Sequence, residues 1–163
     1  MTDSEPELSP ADKKYSPESR ARNSAIGSLA MREHSAYELQ QKLLNKNHPE
    51  AVVFALIAEL QKDNLLSDAR YAESYWRSRS NKGYGPMRIE RELEQKGVAS
   101  RLIQEALYEA EIDFEALVHQ VYEKKYRGKP WDDFKEKAKR QNFMYRRGFP
   151  SDLIRLVVGW ATF

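Results

Sequence analysis

Apolar residues recur along this chain at the spacing of an α-helix. Val53, Leu56, Ile57 and Leu60 fall at i, i+3, i+4 and i+7, as do Ile103, Ala106, Leu107 and Ala110, so each set lines one face of a helix. No stretch shows the period-two alternation of a strand. End signals cut the pattern into segments. Ser35 and Glu38 form a Ser-x-x-Glu capping box, Ser67 and Ser100 are N-caps, and Gly97 stands where a C′ glycine stops a helix. Pro49, Pro86 and Pro150 each stand where an apolar periodicity begins, at the first helical position, where the missing N–H would have no partner anyway. The spacing predicts nine helices, over 21–31, 35–45, 49–62, 67–80, 86–96, 100–110, 113–126, 132–146 and 150–161.

Helices this short, in succession, form small three-helix units rather than long bundles. An internal repeat points the same way. Arg32-Glu33-His34-Ser35-Ala36-Tyr37-Glu38-Leu39, Lys82-Gly83-Tyr84-Gly85-Pro86-Met87-Arg88-Ile89 and Arg146-Arg147-Gly148-Phe149-Pro150-Ser151-Asp152-Leu153 align without gaps, with separations of 50 and 64 residues. In each, a base ends one helix and an apolar residue seven positions later sits in the next, followed one turn on by Leu43, Leu93 or Val157. The expected fold is all-α, with three tandem three-helix, helix-turn-helix-like modules forming an elongated, curved body. Residues 1–20 are expected to be a disordered acidic tail, and the modules to span 21–66, 67–111 and 112–163.

Composition narrows the classes. The longest apolar run, Ala51 to Ala58, stops at Glu59, far short of the ~20 residues that cross a bilayer. The start, Met1-Thr2-Asp3-Ser4-Glu5, has no basic and apolar signal pattern, so a cytoplasmic location is expected. With no cysteine in 163 residues, disulfides, thiolate metal sites and a thiol nucleophile are excluded. The net charge of +2 conceals its distribution. Residues 1–19 carry five acids and two lysines, Arg70–Arg101 eight lysines and arginines and four acids, Leu102–Glu123 six acids and no lysine or arginine, and Lys124–Arg147 ten lysines and arginines and three acids. Two basic blocks with interleaved aromatics indicate a polyanionic partner.

Catalytic chemistry is not indicated. The chain has no Gly-x-x-x-x-Gly-Lys-Ser/Thr loop, and Gly83 and Gly85 lack the preceding strand and third glycine of a dinucleotide site, so they are assigned to a turn and cap. His34, His48 and His119 are far apart; His119, between Glu115 and Glu123, belongs to a solvated helix face, and neither metal nor cofactor is expected. Arg88 with Glu92 and Glu92 with Lys96 have the spacing of i, i+4 surface ion pairs.

Binding chemistry is indicated. Arg70, Arg77, Arg79, Lys82, Tyr84, Arg88 and Arg91 form a basic cluster spanning a helix corner, and guanidinium groups suit phosphates or a partner's carboxylates equally. Lys135, Lys137, Lys139, Arg140, Arg146 and Arg147 make a second, denser patch, of which Lys137, Lys139, Arg140, Arg146 and Arg147 are the candidate contacts. Binding through such a patch depends on salt and ignores base sequence. Ala69, Ala72 and Trp76, with Tyr75, Phe134, Phe143 and Met144, are assigned to the core. The acidic stretch from Glu105 to Glu123 suits basic surface on a protein, and the mixed signs fit a protein-coated DNA filament better than naked DNA.

One family carries this pattern. Leu65-Leu66-Ser67-Asp68-Ala69-Arg70-Tyr71-Ala72, followed by Arg77-Ser78-Arg79-Ser80-Asn81-Lys82-Gly83-Tyr84-Gly85-Pro86-Met87-Arg88-Ile89-Glu90-Arg91-Glu92-Leu93-Glu94-Gln95-Lys96-Gly97-Val98, resembles the central signature of the RecX regulators of the RecA recombinase. Arg32, His34, Ser35, Glu38 and Leu39 are similar to that family's first module, and Arg146-Arg147-Gly148-Phe149 to its last. The resemblance implies a cytoplasmic, non-enzymatic inhibitor that binds along the groove of the RecA filament on single-stranded DNA. It implies blocked filament extension or disassembly, with reduced ATPase, strand exchange and coprotease activity in DNA repair and the SOS response. The expected partners are the RecA filament and, weakly and without sequence preference, single-stranded DNA; the expected state is a monomer. The alternatives are a helix-turn-helix transcriptional regulator, against which three unequal units argue because operators are usually read by symmetric dimers, and an architectural helical-repeat scaffold.

Overall fold

The computed structural model describes residues 16–159, and among these it contains nine helices and no strand. They fall into two compact units, divided after Asp68.

The first unit holds α1 (Pro17–Met31), α2 (Ala36–Asn45) and α3 (Glu50–Lys62). Its core is Ala21 and Ala25 from α1, Leu39 and Leu43 from α2, and Val53, Leu56, Ile57 and Leu60 from α3, closed by Leu66. Alanine on α1 lets that helix lie close to leucine-rich neighbours. Ser35 Oγ accepts from the Glu38 N–H at 3.0 Å, which is the cap expected of it; the Glu38 carboxylate also accepts from Arg32, at 2.8 Å. Helix α1 starts earlier than the spacing predicts. Ser16 caps it, Pro17 fills its first turn, and residues 17–20, assigned above to the tail, are helical. The rest of that tail, 1–15, lies outside the described residues.

The second unit runs from the first turn of α4 (Asp68–Asn81) through α5 (Pro86–Gln95), α6 (Ser100–Ala110), α7 (Phe114–Tyr126), α8 (Phe134–Arg146) and α9 (Ser151–Val158). It has two cores. Tyr71, Ala72, Trp76, Ile89, Leu93, Val98, Ile103, Ala106 and Ala110 form one; Val118, Met144, Phe149, Ile154 and Val158 form the other. Phe114 packs against both, and its ring meets Trp76 edge-on at 6.1 Å. Trp76 is fully buried, so its indole needs a hydrogen-bond partner and donates Nε1–H to the Ile103 carbonyl at 3.0 Å.

Several boundaries shift. Ser100 is the first residue of α6 and Ala99 its cap, Pro49 and Pro150 are caps rather than first-turn residues, and α9 ends at Val158, before Gly159 at φ 80°. Residues 160 and 161, expected to continue that helix, lie outside the described residues. Tyr71 takes the buried position assigned to Ala69, which is exposed, and Phe134 is 52% exposed rather than buried. None of the described helices is long and apolar enough to cross a membrane.

The third corner is out of register by one residue. Gly83 and Gly148 both have left-handed backbone, at φ 87° and 100°, and each follows a helix in the same bonded turn. Gly83 and Tyr84 donate to Ser80 and Arg79, while Gly148 and Phe149 donate to Tyr145 and Met144. Gly148 therefore matches Gly83, and Ile154 and Val158 take the buried places of Ile89 and Leu93. The gapless alignment through Pro86 and Pro150 had put Leu153 and Val157 there; both are only partly buried.

Candidate functional site

The second and third corners bind each other backbone to backbone. Helix α5 has no side-chain cap, because its N-cap is Gly85 and its first residue is Pro86. The third corner caps it from outside: Gly85 N–H donates to the Arg147 carbonyl at 2.7 Å, and Met87 N–H to the Gly148 carbonyl at 2.9 Å. Two orphan donors of a helix N-terminus are thus satisfied by the neighbouring module. Side chains are excluded from this contact. A Cβ on Gly85 would lie 2.5 Å from the Gly148 carbonyl carbon, and one on Gly148 would lie 2.3 Å from the Arg88 Cβ.

This contact gathers arginines from both corners around one aromatic ring. The guanidinium carbons of Arg79, Arg88 and Arg147 lie 4.0, 4.3 and 4.8 Å from the centroid of Tyr84, within range of cation–π attraction worth about 0.5–1 kcal/mol each when exposed. Carbonyls hold two of them: Arg88 Nη1 donates to Arg146 at 3.3 Å and Arg147 Nη1 to Lys82 at 3.4 Å. Arg79 is held by Glu92 through two bonds of 3.1 and 2.9 Å. Burial opposes the Arg79 charge, but the Glu92 hydrogen bonds and charge outweigh it and raise its pKa above the ordinary value. One carboxylate thus answers three guanidiniums. No ion pair joins Arg88 or Arg147 to a carboxylate among the described residues, so the cluster has charge left for an external anion.

Parts of the two basic blocks therefore meet, with Arg79, Lys82, Tyr84 and Arg88 from the first against Arg147 from the second, while Arg146 contributes its carbonyl to Arg88. Glu92 pairs with Arg79 across helices, not with Arg88 as the i, i+4 spacing predicts. Arg77 pairs with Glu73 at 2.8 Å and reaches the Glu109 carbonyl. Arg70, Arg91 and Lys139 are exposed.

Lys137 and Arg140, expected as surface contacts, are instead buried, at 2% and 4% exposed. Arg140 donates to Tyr122 Oη and the Lys129 carbonyl, both at 2.7 Å, to Pro130 and to Glu136, and lies 4.3 Å from the Tyr126 ring centroid. It pins the α7–α8 loop onto both helices. Lys137 Nζ sits 4.7 Å from the Trp131 ring centroid in the same loop. Sequence reasoning missed Lys124 and Lys125 as site residues. They line a cleft of about 410 Å³ beside the cluster, with Lys82 and Arg147; their membership in the second basic block was the available signal.

Comparison with known proteins places these features. The model described as "RecX, first three-helix domain" matches residues 21–60, the second 67–107 and the third 111–158. A protein named "Regulatory protein RecX" from Pseudomonas putida (strain GB-1) is 40% identical over 139 residues, 85% of this chain and 89% of the relative. The chain belongs to the RecX family. A second RecX regulatory protein, from Halorhodospira halophila, is 39% identical over 140 residues, covering 86% of this chain and 87% of the relative. The crystal structure of RecX from Lactobacillus salivarius shares the fold, with a TM-score of 0.68 at 24% identity over 87% of this chain and 94% of that one. Another RecX crystal structure gives 0.72 at 23% identity, over 93% and 79%. The Lys82–Pro86 corner falls in the second RecX domain match and Arg146–Phe149 in the third, so the Tyr84 cluster is built by two RecX domains in contact.

Proposed function

We propose that this chain is a non-enzymatic regulator that binds the RecA filament on single-stranded DNA and suppresses its activity, with the Tyr84 cluster as its principal contact. The observation carrying this reading is the Gly85–Gly148 contact, which concentrates Arg79, Arg88 and Arg147 on one ring with a single carboxylate to answer them. Planar donors fixed in this way match phosphate or carboxylate oxygens, both of which a nucleoprotein filament presents. Membership of the RecX family supplies the partner, through the RecA regulation that the central signature implies. Binding that blocks extension or promotes disassembly lowers ATP turnover without any nucleotide site on this chain.

The operator-reading alternative is disfavoured by the same contact. A recognition helix brings its N-terminal residues to base edges, and here the N-terminus of α5 is covered by Arg147 and Gly148. The test is RecA's DNA-dependent ATPase and strand exchange with the purified protein at stoichiometric amounts. Suppression of both is expected; unchanged rates would remove the reading.

A further inference from the structure

The cleft beside the Tyr84 cluster combines four cations with an apolar floor. Lys82, Lys124, Lys125 and Arg147 line it together with Leu117, Val121 and Phe143, and no acid is among its lining residues. Phe143 is partly buried against the third core, so its ring is held in place. Lys125 Nζ and the Arg147 guanidinium carbon stand 5.1 and 5.6 Å from the ring centroid. Asn81 and Gln120 are also among its lining residues, and a side-chain amide offers both a donor and an acceptor. At about 410 Å³ the cleft is within the size range of small-molecule sites.

From these features we infer that the cleft is a nucleotide subsite, taking one base against Phe143 with its phosphate among Lys82, Lys124, Lys125 and Arg147. Single-strand binders pair an aromatic platform with a cationic groove in this way. A run of acidic side chains would use the cations but offer no flat ring to Phe143. The amides are too few to read sequence, so binding is tolerant of base identity. The inference deepens the proposed contact with a DNA-bearing filament and rests on it, adding α7 to the surface that touches the strand.

The test is fluorescence anisotropy with a 5′-labelled oligothymidylate of about 12 nucleotides over a salt series. Lys124 and Lys125 are exposed, so the K124A/K125A double variant should keep the wild-type unfolding transition. It is expected to bind at least about fivefold more weakly and to lose about 1.4 from the slope of log affinity against log salt, the share of two single-strand phosphate contacts. Thymidine monophosphate competing at similar concentration would name a free nucleotide as occupant, and competition only at far higher concentration a strand; either supports a nucleotide subsite. Equal displacement by polyglutamate of matched charge, or unchanged affinity and slope in the double variant, would overturn it. A photoreactive thymidine in a strand bound to the wild-type protein should cross-link within 81–83, 117–125 or 143–147, and cross-links confined elsewhere would also overturn it. Suppression of RecA ATPase by the wild-type protein, measured in parallel, separates failure of this subsite from failure of the filament reading.

Discussion

The backbone N–H of Gly85 donates to the carbonyl of Arg147 at 2.7 Å, joining two copies of the same helix corner. The glycines of this corner are not a phosphate cradle. Gly83 and Gly148 supply left-handed turns, Gly85 and Gly148 supply close approach, and the arginines that follow or precede them are gathered as a result.

Replacing these glycines should be costly. Gly85→Ala puts a methyl into backbone, and Gly148→Ala adds an unfavourable φ of 100° to a 2.3 Å overlap; each is expected to cost about 2–4 kcal/mol by urea unfolding. Gly27→Ala is the contrast, because nothing lies within 4 Å of its Cβ inside α1, and it should stabilise the protein by about 0.5–1 kcal/mol.

Arg140→Met should destabilise without acting on binding directly. It leaves Tyr122 Oη and the carbonyls of Lys129 and Pro130 without this donor in a part-buried site, at an expected cost of about 1–3 kcal/mol. In thermal unfolding the transition should fall, while affinity of the still-folded fraction for oligonucleotide should match wild type.

Charge reversal should discriminate between arginines that the sequence groups together. Arg88→Glu removes a guanidinium from the Tyr84 cluster and is expected to weaken filament binding at least about tenfold, with unfolding free energy within about 1 kcal/mol of wild type. Arg77→Glu acts where Glu73 already answers the charge and should weaken it less than about threefold. Co-sedimentation with RecA filaments measures both.

Histidine 34 makes the first unit sensitive to acid. It is 1% exposed, its Nδ1–H donates to the Arg32 carbonyl at 3.0 Å, and Nε2 finds no hydrogen-bond partner among the described residues. Burial, with the charges of Arg32 and Lys42, lowers its pKa below 6.5, against the opposing pull of the Arg32 carbonyl and Glu38. The unfolded chain therefore binds the proton more tightly, so this contribution to stability is present above pH 6.5 and is lost as pH falls below it. His34→Gln should flatten the decline in unfolding free energy between about pH 7 and pH 5 relative to wild type.

Helix positions were legible because the driving signal is local. The Val53–Leu60 and Ile103–Ala110 spacings, the Ser35 cap and the Gly97 stop each lie within one or two turns of chain, and each appears where expected. The candidate site was legible only by halves. Arg79 and Arg88 could be placed on one corner and Arg147 on another, but their meeting at Tyr84 depends on a contact across some 65 residues that periodicity does not encode. The one-residue slip in the third corner arose because proline anchored the alignment, whereas the left-handed glycine is the physical equivalent. Lys137 and Arg140 were misjudged because their charges were counted without the tyrosines, tryptophan and loop carbonyls that bury them.

The proposed function requires one basic face, assembled by the Gly85–Gly148 contact, to engage a RecA filament. Co-sedimentation with RecA filaments assembled on single-stranded DNA with a non-hydrolysable nucleotide, run over a salt series with wild type and Arg88→Glu, tests it most directly. Salt-sensitive binding by wild type, weakened at least about tenfold in the variant at low salt, is the expected result. Binding absent at low salt, or equal in the two proteins, would contradict it.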